Sequence, residues 1–197
     1  QLGIRHRHRV GSFPMDARFL TPDPDRQKEF RQQLAAFGPG LKVGILWKSL
    51  KMNARRARFF SAFDAWKPVL NVEGVEFVNL QYGKVEDELE IAREHFGVTV
   101  HQPEGIDLKM DLDGVAALSS ACDLVIGPMN ATTNLAAASG ANVWFIHARS
   151  STWTMLGAGR SLWYPQTRSF FGEGFQDWEN TMGRVATELA AHVKATG

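Results

Sequence analysis

The stretch ACDLVIGPMNATTNLAAASGANVWFI, residues 121–146, decides how the rest of the chain is read. It holds an apolar run from Asp123 (DLVIG), a polar turn, an alanine-rich segment and a second apolar run from Asn142 (NVWFIH). Short apolar runs of this kind are strands buried on both faces of a parallel sheet, and the segment joining two of them is a crossover helix. The spacing predicts a helix over 131–139, with alanines small enough to lie close on the sheet and Gly140 as its left-handed stop. Its first turn gathers Asn130, Ala131, Thr132, Thr133 and Asn134. Asn and Thr are preferred helix caps, and the free N–H groups and positive dipole end of the same turn attract an anion such as a diphosphate. Capping and anion binding both account for these residues.

Outward from this unit the pattern repeats. Further apolar runs are LKVGILW (41–47), EFVNLQ (76–81), VTVH (98–101) and, more weakly, RSFF (168–171), so six strands are expected in all. Helical patterns fall at 56–70, 85–96, 112–121 and 177–194, with Pro68 marking a break near the end of the first. Alternating short strands and helices predict an α/β fold: a Rossmann-like three-layer α/β/α arrangement around a mainly parallel six-stranded sheet. Upstream, residues 1–40 read as a basic, proline-containing arm and a short polar helix over 25–37, ended by Gly38, Pro39 and Gly40. The expected organisation is therefore a linking arm over 1–40 and one folded domain over 41–197. A chain that opens at Gln1 rather than Met is expected to be a piece of something longer.

Composition bounds the function classes. With 197 residues, 44% apolar and 22% charged, the chain has the balance of a globular domain with a full core. A formal charge of +1 gives no reason to expect nucleic acid as partner. Of two basic runs, Arg5 to Arg9 reads as a solvated face, while Arg55, Arg56 and Arg58 are open to that reading or another. The single cysteine, Cys122, cannot form an internal disulfide and reads as a core thiol. No apolar stretch has the roughly 20 residues of a transmembrane segment, and the N-terminus lacks a signal-peptide core, so a reducing cytoplasmic location is expected.

In open parallel sheets ligands bind beyond the carboxyl ends of the strands. The residues there are Lys48, Ser49, Asn53 and Arg55 after the first strand, Gln81, Tyr82 and Gly83 after the second, and Asn130 to Asn134 after the fourth. His147, Arg149, Ser150, Ser151, Thr152 and Trp153 follow the fifth, with Trp163 and Tyr164 approaching the last. Cations and a helix terminus suit phosphates, while Tyr82, Trp153 and Tyr164 offer rings for a base or sugar. Each aromatic also has an ordinary reading as a packing residue.

Several common sites are excluded. The loop after the first strand has no G-x-G-x-x-G, Gly83-Lys84 is followed by Val85 rather than Ser or Thr, and no G-x-S-x-G occurs. His95, His101, His147 and His192 lack metal-ligand spacing, so neither metal nor cofactor is expected. Asp107, Asp111 and Asp113 precede a helix and read as its cap and first-turn acids.

The order LKVGILW, EFVNLQYG, DLDGVAALSSACDLVIG, NATTNLAAASGANVWFI and SLWYPQTRSFF resembles the C-terminal, nucleotide-sugar-binding half of the bacterial GT-B glycosyltransferases related to heptosyltransferases. Within them the likeness is to the glycosyltransferase-like domain that follows tetratricopeptide repeats. It extends over nearly everything from Phe13 onward, FLTPDPDRQKEFRQQLAAFGPG included. The resemblance implies that Lys48 faces donor phosphate, that Gln81, Tyr82 and Gly83 line the cleft, and that Asn130, Thr132 and the following turn form the phosphate loop; His147, Trp163 and Tyr164 are expected to line the same cleft from their place beyond the strand ends. The resemblance also implies a nucleoside-diphosphate sugar as donor substrate, no metal, and a general base supplied by the other half of the enzyme. Asn134 stands where the family often has His, Met129 where it has Asp or Ser, and Ala137 where it has Gly. These departures motivate an alternative: a degenerate, non-catalytic binding or interaction module. A sugar-nucleotide epimerase would need cleft carboxylates, for which only Asp107, Asp111 and Asp113 are candidates.

Overall fold

The computed structural model describes residues 5–13, 15, 18–49, 53–149, 155, 158, 160–175 and 177–196. Its core is a six-stranded sheet: β1 (Leu41–Ile45), β2 (Val75–Asn79), β3 (Val100–His101), β4 (Leu124–Pro128), β5 (Val143–His147) and β6 (Arg168–Phe171). The spatial order is β3-β2-β1-β4-β5-β6, and every pairing is parallel. The all-apolar runs read from sequence occupy the interior of this sheet. β4 and β5 are buried along their whole length, as strands covered by helices on both faces must be. In β1 and β2 burial deepens toward the carboxyl end.

One face carries α1 (Pro24–Ala35), α5 (Leu112–Ala121) and α6 (Ala131–Ala138). Asp23 caps α1 by accepting from the amides of Asp25 and Arg26, with Pro24 in the first turn where its missing N–H costs nothing. Phe30 and Leu34 of α1 join Leu46, Leu80, Leu118, Ala136, Ala137 and Phe145 in one buried cluster, so this helix is packed into the same core as the sheet. α6 ends as expected: Gly140 adopts φ +84°, its amide donates to Ala137 and that of Ala141 to Ala136, which satisfies the last carbonyls.

α2 (Ala54–Ala57) follows β1, and the opposite face carries α3 (Lys67–Leu70), α4 (Glu86–His95) and α7 (Trp178–Thr196), which share one core with the sheet that includes Ile45, Trp47, Trp66, Ile126, Ile146, Val185 and Leu189. The helix expected over 56–70 is not continuous. It is α2, a 3-10 turn (Phe63–Trp66) and α3. Pro68 is tolerated because it sits in the first turn of α3. The buried Trp66 indole donates to Ser61 Oγ (2.9 Å), which fixes the bend.

The arm before α1 is attached to the domain. The amides of Phe19 and Leu20 both donate to Ala138 O at the end of α6 (2.9 and 3.0 Å). Phe13 is buried, with the Trp163 ring edge-on at 5.0 Å. Among the described residues no helix is long and apolar enough to cross a membrane.

Candidate functional site at the carboxyl rim

The chain's winding direction reverses between β1 and β4, which are neighbours in register Ile45 to Ile126. In open α/β sheets this reversal opens a crevice beyond the strand ends. The residues leaving β1 (46–49) and β4 (129–134) flank it. The two strands approach closely there: Leu46 N donates to Ile126 O (3.2 Å), and a side chain at Gly127 would meet Leu46 at 2.7 Å, so only glycine fits.

Asn130 caps α6 in a reciprocal box. Its Oδ1 accepts from Thr133 N (3.2 Å) and its own amide donates to Thr133 Oγ1 (3.0 Å). Thr133 Oγ1 also donates to Pro128 O (2.7 Å), and Asn134 Nδ2 donates to Asn130 O (2.6 Å). The side chains of Thr133 and Asn134 are thus turned to holding the turn. Two kinds of donor are left over. The amides of Ala131 and Thr132 have no acceptor among the described residues, and Asn130 Nδ2 is buried without one. Ala131 is exposed and Thr132 buried.

Across the crevice, Gln81 is buried and organises the exit of β1. Its Oε1 accepts from the amides of Trp47 (3.1 Å) and Lys48 (2.9 Å), and its Nε2 donates to Tyr82 O (2.9 Å). Asn79, also buried, accepts from Gln81 N (2.8 Å) and donates to Gln102 Oε1 (2.9 Å). This network ties together the ends of β1, β2 and β3, and makes Gln81 a residue that positions the rim. Gly83 turns the chain at φ +97°, beside a half-buried Tyr82. Lys48 is not simply solvated: its ammonium donates to Lys84 O (2.7 Å) and to the carboxylate of Glu88 in the first turn of α4. Sequence reading missed Glu88. The acidic start of α4, Glu86, Asp87 and Glu88, was the available signal.

His147 and Tyr164 face protein, whereas Trp163 is partly open to solvent. His147 is buried and stacked on Phe171 (4.8 Å between centroids), with Nε2 3.4 Å from Ser169 Oγ. Burial pushes its pKa down to about 4, so the ring is neutral near pH 7. Tyr164 packs edge-on to Phe19 (6.0 Å), and burial raises its phenol above the ordinary value. Trp163 leans on Phe13 but keeps 37% of its surface exposed. Ser150, Ser151, Thr152 and Trp153 lie outside the described residues.

The acids before α5 are structural. Asp107 accepts from the amides of Lys109 and Met110, and Asp111 caps α5 through Gly114 N (2.9 Å). Asp111 also takes a two-pronged contact from Arg26 (2.9 and 2.5 Å), which holds its carboxyl down at about 2. Cys122 is buried, and desolvation pushes its thiol up to about 12, the behaviour of an inert core thiol. No group of three or more His, Cys, Asp or Glu with metal-binding geometry occurs among the described residues.

No family model matches the chain. Protein FlbA of Caulobacter vibrioides (strain ATCC 19089 / CIP 103742 / CB 15) is 56% identical over 178 residues, 90% of this chain but only 30% of FlbA. Among solved structures, a glycosyl transferase family 9 protein from Veillonella parvula DSM 2008 superposes with a TM-score of 0.58 at 11% identity, covering 88% of this chain and 53% of that one. The E. coli ADP-heptose lps heptosyltransferase II gives a TM-score of 0.58 at 17% identity, covering 89% and 53%. The chain therefore has a glycosyltransferase-like fold and spans about half the length of those two structures.

Proposed function

We propose that this chain is the donor-binding half of a metal-independent glycosyltransferase, taking the diphosphate of a nucleotide sugar at the N-terminus of α6. The observation that carries the reading is the pair of amides, Ala131 and Thr132, free of partners among the described residues, at a helix start beside the β1/β4 reversal point. Free N–H groups at the positive end of a helix, with Lys48 in the loop leaving the neighbouring strand β1, suit a diphosphate without a cation. The same donors would stabilise charge on the departing nucleoside diphosphate. The glycosyltransferase-like fold supports the assignment.

In this reading residues 1–40 lead in from an upstream half-domain or repeat domain that supplies the acceptor surface and the general base. The chain by itself then binds donor but transfers no sugar, because acceptor and base must be held within reach of the anomeric carbon. Calorimetry with UDP, GDP, ADP and CMP, each with and without Mg²⁺, tests the first part: one nucleotide binds, and binding does not need the metal. Enzyme-like transfer by the isolated chain, at about 1 per second or faster, would contradict the second part.

A second reading has its own observation. Lys48 is paired with Glu88, and the side chains of Thr133 and Asn134 are spent on the cap, as a module that has lost catalysis would allow. Absence of binding to every nucleotide at millimolar concentration in a folded sample selects this non-catalytic binding module.

A further inference from the structure

One cluster on the carboxyl rim takes no part in the donor site. Arg58 closes α2, Arg149 follows β5 and Phe175 precedes α7, so three segments far apart in sequence converge. The guanidinium carbons of Arg58 and Arg149 lie 4.8 and 5.2 Å from the centroid of the Phe175 ring. Phe59 meets Phe175 edge-on at 5.0 Å, and Arg58 also lies over Phe59 at 5.2 Å.

The cluster gathers two positive charges on one ring. Arg26, Lys48, Arg93 and Arg168 each pair with a carboxylate. Neither the Arg58 nor the Arg149 guanidinium has a carboxylate or hydrogen-bond partner among the described residues. Two like charges sharing one ring repel, and the stacking that offsets this also orients them. A guanidinium lying on an aromatic face keeps its N–H edge free for a carboxylate. Arg58, Phe59 and Arg149 are all exposed, Phe59 to 42%, so the cluster is open surface rather than an enclosed pocket. Arginine beside an exposed aromatic ring is the composition of a protein interface, whereas small ligands prefer concave sites.

We propose that Arg58, Arg149 and Phe59 form a docking surface for an acidic segment of a polypeptide partner. Carboxylates of the partner meet the two arginines, and an apolar side chain between them covers Phe59. Charge complementarity selects this occupant, and the surface works independently of donor binding.

Fluorescence anisotropy with a labelled peptide alternating Glu and Leu tests it, with a Gln–Leu peptide and inorganic pyrophosphate as comparisons. The Glu–Leu peptide binds, more weakly as salt rises. Arg58→Gln combined with Arg149→Gln lowers its affinity about tenfold, the effect of two exposed charge pairs. Phe59→Ala weakens it as well, Lys48→Ala leaves it unchanged, and thermal melts of the rim variants match the parent. Equal binding of the Gln–Leu peptide, unaltered affinity in the double variant, or no peptide binding at millimolar concentration overturns the proposal. Binding of pyrophosphate without peptide binding does so too, in favour of a small-anion site.

Discussion

The ammonium of Lys48 is held by the carboxylate of Glu88, which joins the loop after β1 to the first turn of α4. The contact makes the cation a guarded one: an anion entering the crevice competes with Glu88 for it. Glu88→Gln should therefore strengthen nucleoside diphosphate binding about three- to tenfold. Lys48→Ala should weaken it by about 1–3 kcal/mol, the scale of a charge-assisted hydrogen bond. Calorimetric titration of both variants checks this, and unchanged affinity in both takes the lysine out of the site.

Asn130 has two separable roles in the proposed site. As the cap of α6 it should cost about 0.5–2 kcal/mol of stability when replaced by Ala, measured by urea unfolding. Asn130→Ser should recover most of that stability, since Ser also caps. The buried amide nitrogen is lost in both variants, so both should bind nucleotide more weakly. Full affinity in Asn130→Ser would confine the residue to capping.

His147 makes the fold sensitive to mild acid. Its folded-state pKa is depressed to about 4 from an ordinary 6.5, so between those values the unfolded chain binds more protons than the folded one. Stability from this group is complete above about pH 6.5 and is lost as pH falls toward 4, by about 3 kcal/mol in full. Chemical unfolding across that range should show the loss. His147→Phe, which needs no proton, should flatten it.

The contact between Arg26 and Asp111 pins α1 to the start of α5 across 85 residues. Because the Arg26 guanidinium lowers the Asp111 pKa to about 2, the contribution is present above about pH 4 and lost as pH falls toward 2. Asp111→Asn keeps a competent cap and removes only the ion pair. It should cost about 0.5–1 kcal/mol, since both side chains are partly exposed, with the deficit vanishing near pH 2. A deficit that persists at pH 2 would assign the effect to the cap instead.

Much of this molecule was legible in its sequence because the signals are local. The runs LVIGP and VWFIH are apolar at every position, which suits only a strand covered on both faces, and both are fully buried in the sheet. Asn130 and Gly140 delimit α6 by turn chemistry that needs no knowledge of the rest of the chain. The α/β architecture around a mainly parallel sheet follows from such runs taken in order, and the structure makes every pairing parallel. What the sequence could not hold is the partner of each polar side chain. Lys48 meets Glu88 40 residues away, and Gln81 reaches back to the amides of Trp47 and Lys48, because β2 lies beside β1 and brings the two loops together. Trp163 and Tyr164, open to a ligand when read along the chain, rest on Phe13 and Phe19 of the arm. Residues 56–70 broke into pieces because Trp66 and Phe63 had to turn into the core, an outcome set by packing rather than propensity. Backbone conformation is chosen by neighbours a few residues away, so the sequence determined the strands, caps and stops. Pairing of charges and burial of rings depend on which strand ends the topology places side by side, so the tertiary structure alone decided how the rim is wired.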